Sequence, residues 1–248
     1  MRAILTYHSI DSSRSPISVS REQFARHVTW LASGHVRVTS VGELLTLPDD
    51  VNAVALTFDD GFLNFGEIAA PMLAEHGLTA TVFVVADHVG RTNAWHGTPD
   101  PGIPIMPLLG WDALARLREY GVQVGAHTRT HVRLATIRGD RLASEVCAAA
   151  EIIARYTGAA PEGFAYPYGS FSDAAVELVQ SSYDWACTTT LRTVSADDPA
   201  PLLPRLDMYY FRERGRLESW GSVPFTCYLA LRAGARGIRQ RLAASRNS

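Results

Sequence analysis

Val51-Asn52-Ala53-Val54-Ala55-Leu56-Thr57-Phe58-Asp59-Asp60-Gly61 is the stretch whose reading decides the fold. From Ala53 to Phe58 it is apolar and β-prone without a break, the pattern of a strand covered on both faces, as in parallel sheets. It stops at two adjacent carboxylates and a glycine. In parallel α/β sheets the C-terminal ends of strands carry the chemistry. Two ionised carboxylates side by side there need a cation or hydrogen-bond donors to hold them. Asp-Gly is also an ordinary turn signal, and alone the stretch fits a solvated turn equally well.

Strand and helix alternate on either side of it. Upstream, residues 4–8 read as a strand ending in a histidine. Ser20-Arg21-Glu22-Gln23 has the form of a capping box opening a helix with Phe24, Val28 and Leu31 on one face. A short strand at 36–38 and a helix at 41–47, closed by Pro48, follow. Downstream, Ile68, Met72 and Leu73 mark a helix ended by Gly77, and 79–85 is a strand of β-branched residues. Residues 87–109 form a long aperiodic loop holding Trp95 and His96, and such loops in compact domains tend to be functional. Helices are expected at 111–120, 138–156 and 173–180. Strands are expected at 122–126, 164–169 and 185–189, with an extended piece at 202–208. The pattern predicts one α/β domain of parallel βα units, closed or nearly closed as a barrel.

Composition narrows the function. Nearly half of the 248 residues are hydrophobic and 19% are charged, enough for a sizeable core. A net charge of −2 argues against general nucleic-acid binding. All 23 basic residues are arginine, which removes Schiff-base lysines and Walker-type phosphate loops. Cys147, Cys187 and Cys227 are isolated and odd in number, so they suggest buried thiols in a reducing compartment and no disulfide frame.

His127-Thr128-Arg129-Thr130-His131 places two imidazoles four residues apart after a predicted strand. On one helical turn they would face the same way, close enough to share a metal ion. Thr128 stands where a zincin has glutamate, so that protease reading fails. A carboxylate from a neighbouring strand end would complete two histidines and one acid, a set that leaves a coordination position open. Histidines four apart also arise by chance.

Thr57-Phe58-Asp59-Asp60-Gly61, then Gly125-Ala126-His127-Thr128-Arg129-Thr130-His131, then Phe164-Ala165-Tyr166-Pro167-Tyr168-Gly169 resemble, in order and spacing, successive motifs of the NodB-homology polysaccharide deacetylases, carbohydrate esterase family 4. The resemblance implies a distorted (β/α) barrel. It implies Asp59 as general base, and Asp60, His127 and His131 as ligands of a divalent metal, zinc first, with cobalt or nickel as alternatives. It also implies an oxyanion hole built with the backbone N–H of Tyr168. Two departures stand out. Ala165 occupies a position where many members carry an arginine that orients the base, and Arg205 is the expected substitute because a guanidinium grips a carboxylate with two bonds. The late Leu-x-His motif that supplies the general acid is missing, since no histidine follows His131. His8, in Ile4-Leu5-Thr6-Tyr7-His8-Ser9-Ile10, is similar to the N-terminal Tyr-His of deacetylases acting on poly-N-acetylglucosamine, and is the expected acid. His96, with Trp95, is an expected substrate contact, while His27, His35, His76 and His88 are assigned to surface or core.

The reaction so implied is metal-dependent removal of N-acetyl groups from an amino sugar of a polysaccharide, oligosaccharide or lipid-linked glycan. An O-acetyl sugar esterase, a small cyclic amide hydrolase and a degenerate glycan-binding module remain alternatives. The expected domain is 1–221. Residues 222–248, with five arginines and no acidic residue, read as a basic amphipathic tail bearing Phe225, Leu229, Ile238 and Leu242. Such a tail either contacts an anionic membrane face or packs on the barrel. The first residues run straight into a strand, so a cytoplasmic location is expected, with peripheral contact at the inner membrane face.

Overall fold

The structure is a computed structural model that describes the backbone of residues 1–244 and side chains to residue 237. Among the described residues the strands are β1 (Arg2–Tyr7), β2 (Ser9–Ile10), β3 (Ser18–Val19), β4 (Arg37–Thr39), β5 (Ala53–Phe58), β6 (Ala80–Val84), β7 (Val122–Ala126), β8 (Gly163–Ala165), β9 (Trp185–Cys187) and β10 (Leu206–Asp207). The α-helices are α1 (Arg21–Leu31), α2 (Val41–Thr46), α3 (Ala70–Glu75), α4 (Trp111–Arg116), α5 (Gly139–Thr157), α6 (Asp173–Ser182) and α7 (Val223–Ala244).

The main sheet runs β10-β1-β5-β6-β7-β8-β9, with β4 also on β5, and every pairing is parallel. One edge of β5 is shared: β4 pairs with Ala53–Ala55 and β6 with Thr57 and Phe58. The sheet curls until its two edges meet at residues 203–207. Leu203 exchanges bonds with β9, from its N–H to Ala186 and to its carbonyl from Thr188, both 2.8 Å. Three residues on, Leu206 and Asp207 pair with Leu5 and Thr6 of β1. The result is the nearly closed barrel that the alternation of elements predicted, distorted as the family resemblance implied.

Strand alternation sorts the core into two layers. Ile4, Ala53, Ala55, Phe83, Ala165, Trp185 and Cys187 cluster inside the curl, closed at the strand N-termini by Val41 and Leu44 of α2. Leu5, Tyr7, Val54, Leu56 and Phe58 face the other way, onto helix residues such as Phe24, Leu73 and Val146. The interior is tight: a Cβ at Gly163 would run into the Trp185 ring, and one at Gly125 into Phe83. The capping box predicted for α1 forms, with the Gln23 N–H donating to Ser20 Oγ (3.2 Å) and the Ser20 N–H to Gln23 Oε1 (2.9 Å).

The C-terminal helix packs on the barrel. Phe225 and Leu229 are buried, the former against Phe211 and Trp220. The side chains of Ile238 and Leu242 lie outside the described residues. No helix among the described residues is long and apolar enough to cross a membrane.

Candidate active site

The inward-facing row of β5, Ala53, Ala55 and Thr57, continues in step to Asp59, and the row of β1, Ile4 and Thr6, continues to His8. Both therefore arrive at the mouth formed by the strand C-termini. Asp59 is buried, and so is Arg205, which reaches it from just before β10. The guanidinium donates Nη1 to Asp59 Oδ1 at 2.6 Å and Nη2 to Oδ2 at 2.7 Å, while its Nε donates to the Thr188 carbonyl at 3.0 Å. Burial alone would raise the Asp59 pKa, but Arg205 outweighs it and holds the carboxyl well below the usual range. His8, about a quarter exposed, sets its Nε2 3.7 Å from Asp59 Oδ2.

Asp60 leaves the strand conformation, with φ of +73°. Its Oδ1 lies 3.5 Å from His127 Nε2 and 3.3 Å from His131 Nε2. It is buried and has no hydrogen-bond partner. Two ligand atoms each about 2.1 Å from one ion at a tetrahedral angle stand roughly 3.4 Å apart, so these separations are those of a shared cation. The far nitrogens are already committed. His127 Nδ1 bonds to the Ala165 carbonyl at 2.6 Å and His131 Nδ1 to the Tyr168 hydroxyl at 3.0 Å, which turns each Nε2 lone pair toward Asp60. Burial pushes the His127 pKa down to about 4, so its imidazole is neutral, the form a metal requires. The three residues therefore fit a divalent ion.

The histidines are not on a helical turn, contrary to the expectation from their spacing. They flank a loop in which Thr128 and His131 adopt φ of +63° and +61°. The loop is held from α5. Glu145, buried, accepts the N–H groups of Arg129 (3.0 Å) and Thr130 (2.9 Å) and the Thr130 hydroxyl (2.6 Å). These bonds replace the helical i to i−4 pattern, and Arg129 turns outward to pair with Asp87 at 2.7 Å. Sequence reasoning missed Glu145, although a signal existed: it falls on the buried stripe of α5 with Leu142 and Ala149. Four of the five non-glycine residues with positive φ among the described residues, Asp60, Thr128, His131 and Tyr168, belong to this site. Each such residue costs of order 1–3 kcal/mol, which the surrounding bonds must offset.

Tyr168, at φ +59°, sits in a tight turn whose bonds run from the Gly169 and Ser170 N–H groups, so its own N–H takes no part in them. Its hydroxyl donates to Asp100 at 3.0 Å, an acid from the long loop that the sequence did not single out. Trp95 from the same loop is buried and lies against His131, ring centres 4.4 Å apart and planes tilted by 31°. It buttresses His131 and is buried, contrary to the expected contact with substrate, whereas its neighbour His96 is exposed. Beside the histidines opens a cleft of about 320 Å³, lined by His8, Asp59, Tyr168 and Arg205 among others.

A family model described as polysaccharide deacetylase matches residues 47–183, more than half of the chain. The chain belongs to the polysaccharide deacetylase family. Its members hydrolyse carbon–nitrogen bonds other than peptide bonds. Among curated proteins, the chain is 24% identical over 209 residues to YxkH of Bacillus subtilis, described as a polysaccharide deacetylase, covering 82% of this chain and 70% of that protein. It is 28% identical over 134 residues to a peptidoglycan-N-acetylglucosamine deacetylase of Bacillus cereus, covering 54% of this chain and 40% of that one. Among solved structures it resembles the Streptococcus pyogenes deacetylase PplD in complex with acetate (TM-score 0.70, 21% identity, 83% of this chain and 91% of that one). It also resembles IcaB from Ammonifex degensii (TM-score 0.70, 24% identity, 92% and 96%). At these identities the structural likeness establishes the deacetylase fold.

Proposed function

We propose that the protein is a metal-dependent deacetylase that removes N-acetyl groups from an amino sugar of a polysaccharide, oligosaccharide or lipid-linked glycan. One observation carries this reading. A buried carboxylate kept ionised by a buried arginine, Asp59, stands beside a second, Asp60, whose unbonded Oδ1 faces two imidazole nitrogens.

Asp60, His127 and His131 would hold the ion. A divalent cation there supplies Lewis acidity toward the acetamide carbonyl and the attacking water. The chain's own groups do the rest. Asp59 accepts a proton from the water as its oxygen attacks the acetyl carbon. Arg205 keeps that carboxylate charged and aimed, at the cost of making it a weak base that needs an acidified water. The Tyr168 N–H donates to the carbonyl oxygen as negative charge grows on it. His8, protonated, gives its proton to the sugar nitrogen as the carbon–nitrogen bond breaks, releasing acetate and a free amine. A glycan-binding module without turnover would gain nothing from a buried carboxylate kept ionised in this way.

The test is metal content together with acetate release from N-acetylglucosamine oligomers. The expected result is one divalent ion per chain, release stopped by a chelator and restored by zinc. Asp59→Asn should keep the ion and lose about 10²–10⁴-fold in turnover. Full activity in stripped protein sinks the metal requirement, and no acetate from any acetylated amino sugar sinks the reaction.

A further inference from the structure

The cleft beside Asp59 is more cationic than hydrolysis of a neutral acetamide requires. Three arginines line it, Arg133, Arg205 and Arg236, against two aspartates, Asp59 and Asp207. The chain as a whole has a net charge of −2, so this bias is local. Arg205 is fully engaged by Asp59. The other two are not. Arg133 is exposed, lies over the Tyr168 ring at 3.9 Å from its centre, and forms no ion pair among the described residues. Arg236 reaches the cleft from α7 and touches Asp207 Oδ2 through one nitrogen at 3.5 Å. Asp207 is itself pinned, its Oδ1 accepting the Tyr209 N–H at 3.1 Å. Asp100, on the overlying loop, is bonded to the Tyr168 hydroxyl.

A guanidinium carries five donors in a planar fork that fits carboxylate and phosphate oxygens in pairs. Arg236 uses one of its five on Asp207, and Arg133 offers its fork to the open cleft. We infer that the substrate bears an oxyanion, a carboxylate or a phosphate, next to its acetylated amino sugar, and that Arg133 and Arg236 bind that group. This rests on the deacetylase reading above and names its substrate class. Arg236 also gives α7 a role at the cleft, as the element that completes the anion subsite.

Three substrates test it: a neutral N-acetylglucosamine tetramer, a tetrasaccharide alternating N-acetylglucosamine with glucuronic acid, and an N-acetylglucosamine oligomer ending in a 1-phosphate. The expected result is a higher kcat/KM for at least one anionic substrate than for the neutral one, expressed in KM and shrinking as salt is added. Whichever arm wins identifies the oxyanion. Arg133→Gln and Arg236→Gln should each lower the anionic-to-neutral ratio about threefold to tenfold. A packing defect alone would depress all three substrates together and leave the ratio in place. If Arg236→Gln fails to fold, Arg133→Gln, on an exposed side chain, decides the matter. A wild-type ratio at or below one, or a ratio unmoved by substitution, overturns the inference. No acetate from any of the three overturns the deacetylase reading instead.

Discussion

Among the described residues two arginines are buried in the barrel, one near each end, and they serve different ends. Arg2 and Arg205 are 3% and 2% exposed. Arg2, at the start of β1, donates to the carbonyls of Leu44 (3.1 Å) and Leu47 (2.7 Å) at the end of α2, and pairs with Asp49, whose side chain is 60% exposed. Arg205, at the strand C-termini, directs both terminal nitrogens at Asp59, which is as buried as itself. A carboxylate in water stays ionised unaided, while a buried one does so only beside a cation or hydrogen-bond donors. Arg2 therefore ties a helix to a strand, whereas Arg205 fixes the charge state of Asp59, the base of the proposed reaction. Burial of an arginine does not mark a site; burial of its partner does.

Substituting the two arginines in parallel puts this contrast at greatest risk. Arg205→Met leaves Asp59 buried and unpaired, so a loss of about 3–5 kcal/mol in stability is expected, with acetate release abolished. Adding Asp59→Asn should recover part of the stability and none of the activity. Arg2→Met removes donors from two carbonyls and should cost about 1–3 kcal/mol, with turnover of the folded protein unchanged. Urea denaturation and acetate release on the same preparations measure both. Equal costs, or an inactive but folded Arg2→Met protein, would dissolve the distinction.

A second pair of residues sharpens it on a smaller scale: His8 at the mouth and His27 beneath the helix layer. His8→Ala should lower kcat on an acetamide by about 10²-fold and lower it less on an activated acetyl ester, whose alcohol leaves without a proton. Equal losses on both substrates would assign the acid elsewhere. The smallest effect belongs to His27, whose Nδ1 faces the Tyr7 hydroxyl and whose Nε2 faces the Phe211 carbonyl, both at 3.1 Å. Burial depresses its pKa from 6.5 to about 4, against the pull of that carbonyl. As pH falls below 6.5 the unfolded chain takes up a proton that the folded one refuses, so stability declines until about pH 4 and no further from this group. His27→Gln should flatten that limb of the stability curve, and an unchanged slope between those values would place the acid sensitivity elsewhere.

Much of this was legible in the residues. The unbroken apolar run of β5 announced a strand buried on both faces, and the two acids at its end pointed to the mouth once they were read with the downstream histidine pair. Arg205 could be matched to Asp59 because the family resemblance implies an arginine on that carboxylate and Ala165 cannot provide it. The His127–His131 loop was misread because spacing of four imitates a helical turn, and nothing in Thr128 or His131 declares a left-handed backbone. Asp100 lies in a loop with no periodicity to place it. The fate of α7 was undetermined, since one-sided charge suits a lipid surface and an anionic cleft alike; the contacts of Phe225 and Arg236 had to be seen.

The seam at 203–207 has a consequence in time. Asp59 and Arg205 are 146 positions apart, and the arginine resides in the segment that joins the two edges of the sheet. A chain leaving the ribosome exposes Asp59, Asp60, His127 and His131 well before it, and so long a closure is entropically among the last a growing chain can make. Until then Asp59 can shed its charge penalty only by meeting water or by taking up a proton. The last strand thus arms the site: a nascent chain that stops short of it carries all three prospective ligands and lacks the cation that keeps their neighbour charged.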